Sequence, residues 1–264
     1  MSFAGHGVAI SEYGVASSWL MRLAGGILVV MTSTAPLVDD DTRARSSTGR
    51  FAESGSAFAS VLCGVDMSAN AQAARKQAEL LASPGGTVDF VNASQLTRHG
   101  SAVLQDGYDL LVIGAGTATF AALDDARIPI LSARHGPIGT AVTDSILVPV
   151  GDPHASRAAV ELAAELAAEH NGTVTILAAP PRNAALERAI AASRRMVLQA
   201  TGAVPHVIGE WQSPKRSVPE AAAALHASLV ILGAGRSHDT ETAGSMAGAI
   251  PASVLVLPSR PTLQ

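Results

Sequence analysis

The chain has 264 residues, a formal net charge of −4 and 48% hydrophobic residues against 15% charged ones, so it carries ample material for a packed core and is not a largely disordered chain. Aromatic residues are 3%, which leaves few rings for stacking bases, and the acidic balance leaves no basic surface for a phosphate backbone, so nucleic-acid binding is excluded as an expectation. The single cysteine, Cys63, cannot form an intrachain disulfide or a cysteine-based zinc cluster and suits a reducing, cytoplasmic setting.

From the start of the chain, residues 15–31 (VASSWLMRLAGGILVVM) form an apolar stretch interrupted by Arg22 and by Gly25-Gly26. A membrane-spanning helix wants about 20 apolar residues without a central arginine. A signal peptide places its positive charge before the apolar run, not within it. A membrane anchor here is therefore the less favoured reading, beside an unassigned extension. Residues 33–59 are small, polar and mixed in charge, and read as a linker.

The strongest pattern is an internal repeat. Ser60-Val-Leu-Cys-Gly-Val-Asp66 resembles Ser145-Ile-Leu-Val-Pro-Val-Gly151 at an offset of 85, and Gly86-Thr-Val88 matches Gly172-Thr-Val174 at 86. Asp109-Leu-Leu-Val-Ile-Gly-Ala-Gly116 matches Ser228-Leu-Val-Ile-Leu-Gly-Ala-Gly235 at 119, and Pro129-Ile-Leu131 matches Ser253-Val-Leu255 at 124. Four matches in one order imply two copies of one unit, at 60–134 and 144–260, joined by a linker at 135–143. The growing offset means that the first copy lacks 33 residues between the second and third match and 5 more before the fourth.

In the fuller copy, residues 146–150 form a short continuous apolar run, the mark of a buried parallel strand. Asp152-Pro153 then opens an Ala-rich helix that stops at Asn171-Gly172. A strand over 173–178, a helix over 184–200 ending at Gly202 and a strand over 204–208 follow. Ser217-Val-Pro-Glu220 reads as a capping box opening a helix to His226. Strands at 229–232 and 254–257 flank a glycine-rich loop. The alternation predicts an α/β fold with parallel strands and helices on both faces. The 33 residues missing from the first copy correspond to 180–212, one helix and one strand. Such a unit is removed cleanly only if its strand lies at a sheet edge, which leaves about four strands in the first copy.

These features, with the ILVPV strand, the LVILGAG strand and loop, Gly244-Ser245 and the closing SVLVLP, resemble the universal stress protein family. The resemblance covers 144–260 in full and 60–134 in abbreviated form, and leaves 1–59 outside. It implies two doubly wound parallel-sheet domains with strand order 3-2-1-4-5, the first abbreviated, packed as an internal pseudo-dimer through their last strands, with a homodimer also open. It also implies a regulatory, ATP-binding role in stress response.

The family's nucleotide motif is Gly, two residues, Gly, nine residues, then Gly-Ser or Gly-Thr, with an aspartate at the end of the first strand. Glycines let backbone N–H groups approach phosphate oxygens. By this resemblance the candidate nucleotide-binding residues are Pro149, Val150 and Asp152 after the first strand of the second copy, and Gly233, Gly235, Arg236, Gly244 and Ser245 around its glycine-rich loop. The sequence departs from the motif. Arg236 stands three residues after Gly233, eight residues separate Gly235 from Gly244, and Gly151 takes the strand-end aspartate's place. Asp152 either substitutes for that aspartate or caps the helix, and Pro153 favours the cap. Arg236 is either a forked phosphate contact or a solvated surface arginine. The first copy keeps Asp66 at the strand end but has no Gly-Ser before its last strand, and the five-residue deletion falls in the loop itself.

Other constellations are weaker. Gly114-Ala-Gly116 lacks the third glycine of a dinucleotide fingerprint and follows a late strand. The eight histidines show no ligand spacing, so no metal is expected. Cys63 within an apolar strand reads as a buried, inert thiol. No general base is placed for hydrolysis, so the expectation is a binding protein and not an enzyme. The alternatives are a scaffold of the same fold that binds no nucleotide, and a regulatory module anchored through 15–31.

Overall fold

The computed structural model describes residues 20–23, 26–29, 58–94, 96, 107–116, 128–136, 139–151, 153–178, 183–209, 214–233 and 246–258. Two short strands, β1 (Leu20–Leu23) and β2 (Gly26–Val29), pair antiparallel with Leu23 opposite Gly26. The apolar stretch at 15–31 thus holds two strands, not one helix. Only Ala24 and Gly25 separate them, a spacing and a residue type that favour chain reversal over helix continuation. Among the described residues no helix is long and apolar enough to cross a membrane.

The rest forms a nine-stranded sheet. In chain order its elements are β3 (Phe58–Val65), α1 (Ala69–Leu81), β4 (Ala82–Asn92), β5 (Leu110–Gly114), β6 (Ile130–Ala133), β7 (Ser145–Val150), α2 (Pro153–His170), β8 (Thr173–Ala178), α3 (Ala184–Thr201), β9 (His206–Gly209), α4 (Pro214–Ala224), β10 (Leu229–Gly233) and β11 (Ser253–Leu257). The strand order is β4-β3-β5-β6-β11-β10-β7-β8-β9. Every pairing is parallel except β6 with β11. The second half has the expected order 3-2-1-4-5, and β9, which has no counterpart among the described residues of the first half, lies at an edge.

The strand registers reproduce the repeat offsets. Val61 pairs with Val88 and Leu110, while Ile146 pairs with Val174 and Leu229; Leu111 pairs with Ile130, and Val230 with Val254. Where the halves meet, Leu131 lies opposite Leu255, with Ile130 opposite Val256 and Ser132 opposite Val254. Leu131 and Leu255 are themselves repeat equivalents, so a local two-fold passes between them, perpendicular to the sheet. The two sheets expected from the sequence are therefore one continuous sheet.

Burial on both faces explains the unbroken apolar runs. Alternation along β7 sends Ile146, Val148 and Val150 to one face and Leu147 to the other. On the first face one core spans both halves: α1 contributes Ala74 and Ala78, α2 Ala163 and Leu166, α3 Ile190 and Val197, and Leu131 and Leu255 join them at the seam. Small alanines let these helices lie close to the sheet, which accounts for the Ala-rich, ring-poor composition. Among the described residues the opposite face has two separate cores, one under α4 and a helical turn at 246–249, the other around Leu62, Leu96 and Leu111.

Three boundaries differ from expectation. β3 starts at Phe58, whose side chain is buried, and so reaches into the stretch read as linker. β9 starts at His206, two residues later than expected. The third difference is in α4, which starts at Pro214 and contains both Ser217 and Pro219. Ser217 is 1% exposed and sits beside Val218 and Ala222 on the buried face, so it is not the helix cap. Pro214 supplies a fixed φ suited to the first turn, and burial of that face outweighs the hydrogen bond that Pro219 cannot donate. The predicted stops hold: Asn171 has φ 54° and Gly202 has φ 72°, with the Gly202 N–H bonded to the Leu198 carbonyl.

Candidate functional site

In an open parallel sheet, ligands bind beyond the carboxyl ends of the strands, where the strand order reverses. In the second half that point lies between β7 and β10. These strands pair through Ile146 with Leu229 and Leu147 with Val230, and four residues on they end at Val150 and Gly233. The structure thus brings Pro149, Val150 and Gly233 to one rim. Val150 is fully buried, while Pro149 and Gly233 are partly exposed. Pro149 pairs with Leu177 of β8 at the outgoing end of its strand. Asp152, Gly235, Arg236, Gly244 and Ser245 lie outside the described residues. A residue that sequence reasoning missed, Ser156, is buried in the first part of α2 and accepts a hydrogen bond from the Gly151 N–H at 3.3 Å. It holds the chain as it leaves β7. A serine inside an alanine-rich helix carries no periodic signal that would have marked it.

The equivalent point of the first half lies between β3 and β5 and is built differently. The Asp66 carboxylate accepts from the Ser68 N–H at 2.8 Å, and the Ser68 hydroxyl caps α1 by accepting from the Ala71 N–H at 3.1 Å. Hydrogen bonding from the Ser68 side chain, and then from its backbone N–H, holds the Asp66 carboxyl below the usual carboxylate value. Asn70 then reaches across. Its Nδ2 donates to the Ala115 carbonyl at 2.7 Å, and its Oδ1 accepts from the His135 N–H at 3.1 Å. One side chain therefore ties the segment after β5 to the segment after β6. Gly114 permits this closeness, because a Cβ there would stand 3.0 Å from the Ala71 nitrogen. At this end the segments after β5 and β6 are thus tied to the first turn of α1 by the protein's own hydrogen bonds.

Cys63 lies in the core of the first half with no exposed surface, and burial pushes its thiol up to about 12. It is a packing residue with no access to the strand ends. Among the described residues no three His, Cys, Asp or Glu side chains gather to hold a metal.

The seam between the halves carries a second polar network. The Gln77 Nε2 of α1 donates to the Arg134 carbonyl at 3.1 Å, and the Ser253 hydroxyl of β11 donates to Gln77 Oε1 at 3.0 Å. The Arg134 N–H donates to the Ser253 hydroxyl at 3.0 Å. The Arg134 guanidinium continues to the carbonyls of Gly248, at 3.1 Å, and Ala247, at 3.4 Å. These partners stand up to 176 residues apart in the chain, so a single sequence does not reveal them.

Residues 143–258 match the model of the universal stress protein family. Solved structures with a similar fold include a universal stress protein from Archaeoglobus fulgidus DSM 4304, at 14% identity over 77% of this chain and 97% of that one, with a TM-score of 0.57. Another is a functionally unknown protein from Pseudomonas aeruginosa PAO1, at 17% identity over 77% of this chain and 93% of that one, with a TM-score of 0.54. At such identities the likeness is one of fold. No curated protein matches the chain in sequence. The second half, over residues 143–258, is thus a universal stress protein domain.

Proposed function

We propose that this chain is a cytoplasmic stress-response regulator that binds one adenine nucleotide, ATP, at the carboxyl ends of β7 and β10, and that it is not an enzyme. The observation that carries the reading is the pairing of β7 with β10, which sets Val150 and Gly233 at the strand-order reversal. Pro149, Val150 and Asp152 would contact the nucleoside. Gly233, Gly235, Gly244 and Ser245 would offer backbone N–H groups to the phosphates, and Arg236 a forked donor.

In this reading the two halves are tandem copies paired as an internal pseudo-dimer. The antiparallel pairing of Leu131 with Leu255 supports it. The first copy holds no nucleotide, because Asn70 ties the segments after β5 and β6 to the first turn of α1.

Heat release of ligand from the purified protein, followed by mass spectrometry, tests the reading. ATP or ADP is expected. A clean protein that shows no shift on ATP titration would refute nucleotide binding. It would favour the second reading, an interaction scaffold of the same fold, to which the internally hydrogen-bonded end of the first half already points. In that case a captured partner would bind equally well with and without ATP, and to Arg236→Ala.

A further inference from the structure

The two-fold at the seam would place two equivalent polar clasps, one on each side, yet the chain keeps one. By the repeat offset, Ser253 corresponds to Pro129 and Arg134 to Pro258. The clasp that is present runs from the Arg134 N–H to the Ser253 hydroxyl and from the Arg134 guanidinium to the carbonyls of Ala247 and Gly248. Its mirror image is chemically blocked. Pro258 has no N–H to donate, Pro129 has no side-chain acceptor, and a proline has no guanidinium. The Gln77 that closes the ring with Ser253 corresponds to Leu162 in the second half, an apolar residue of α2. The asymmetry has one direction, in which the abbreviated half grips the complete one.

What is gripped matters. Residues 246–249 form a helical turn closed by the Ile250 N–H donating to the Met246 carbonyl at 3.1 Å. In sequence the turn follows directly on 234–245, the segment that carries Gly235, Arg236, Gly244 and Ser245. A four-residue turn has little stability of its own, since one hydrogen bond does not repay the ordering of its residues. Its last carbonyls lack intrahelical partners, and a charged donor aimed at them supplies what the turn lacks. The backbone from which the guanidinium extends is held on both sides, the Arg134 N–H by Ser253 and its carbonyl by Gln77.

We propose that Arg134 is a positioning residue through which the first half orders the 246–249 turn of the second half. The consequence for nucleotide affinity rests on the binding reading above; the ordering of the turn does not.

Hydrogen exchange at the Ile250 amide in the full chain tests the ordering. Arg134→Met keeps the aliphatic stem and removes the donors. Exchange at Ile250 should quicken by about tenfold or more, as loss of a charge-assisted bond implies. The Val148 and Ile176 amides in the core should be unchanged, and Arg134→Lys should restore part of the protection. Unchanged exchange at Ile250 in both variants would overturn the proposal, and so would equal acceleration in the core of Arg134→Lys. In parallel, titration with ATP should show Arg134→Met binding about tenfold more weakly. If the unaltered protein takes no ATP, the binding reading falls, and the positioning role is still decided by the exchange at Ile250.

Discussion

The two halves share strand order and register, and differ at their carboxyl ends. In the first, Asp66, Ser68 and Asn70 spend their polar groups on the protein's own backbone. In the second, the equivalents of these three are Gly151, Pro153 and Ala155, none of which has a polar side chain. One end thus carries hydrogen bonds from three side chains to its own backbone, whereas at the other the Gly151 N–H is taken by Ser156 from within α2. The loss of a helix and an edge strand did not disturb the pairing of the remaining strands, because an edge strand supports only one neighbour.

The largest expected effect breaks the seam on which the comparison rests. Leu131→Ala and Leu255→Ala each remove a fully buried side chain and should each cost about 3 kcal/mol in denaturant unfolding. Because the two residues are opposite one another, the double variant should depart from additivity. A single cooperative transition for the whole chain is expected, and two separate transitions would show that the halves are independent.

A paired glycine test sharpens the comparison. Gly172 and Gly86 are repeat equivalents, the first directly before β8 and the second within β4. A Cβ at Gly172 would overlap the Thr143 carbonyl oxygen, a backbone atom between two buried elements, whereas a Cβ at Gly86 would stand 2.8 Å from the Ala59 carbonyl oxygen beside an edge strand. Gly172→Ala should therefore destabilise by about 3 kcal/mol or more and Gly86→Ala by about 1 kcal/mol. The reverse order would contradict the close approach of Gly172 to Thr143 and to Ala167 of α2.

Asn70→Ala removes two ties to backbone, one part-buried and one exposed, and should cost about 1 kcal/mol in thermal or denaturant unfolding. It should also raise amide exchange at His135, whose N–H loses its acceptor. The smallest effect belongs to Asp66. Its carboxyl is held below its ordinary value by Ser68, so the unfolded chain takes up the proton more readily than the folded one. The stabilisation is present above the ordinary carboxylate value and is lost as the pH falls through the lower, folded value. Solvent screens this exposed group, so the gap in stability between the unaltered protein and Asp66→Asn should be small at neutral pH and close in acid. A gap that persists unchanged at low pH would rule out the carboxylate as its source.

Much of this architecture was legible because it is written in repeats. The offsets 85, 86, 119 and 124 recur in the observed strand registers, and the missing 33 residues implied an edge strand, which β9 is. Helix ends were legible where a residue's own backbone preference decides them, as at Asn171 and Gly202. The start of α4 was not, since burial of Ser217 and Val218 overrode the local capping pattern. The pairing of residues 20–23 with 26–29 was not legible, because a short apolar run with a glycine pair fits strand and helix alike. Of the candidate site, Pro149, Val150 and Gly233 were legible as strand ends. Asn70, Gln77, Arg134 and Ser253 were not, because nothing local in a polar side chain names a partner on a distant strand.

Native mass spectrometry of the intact chain with added ATP tests the central claim most directly. One nucleotide per chain is predicted, retained in Asn70→Ala and lost in Arg236→Ala. Two nucleotides per chain would contradict a first half that binds none, and no nucleotide at all would contradict the nucleotide site of the second.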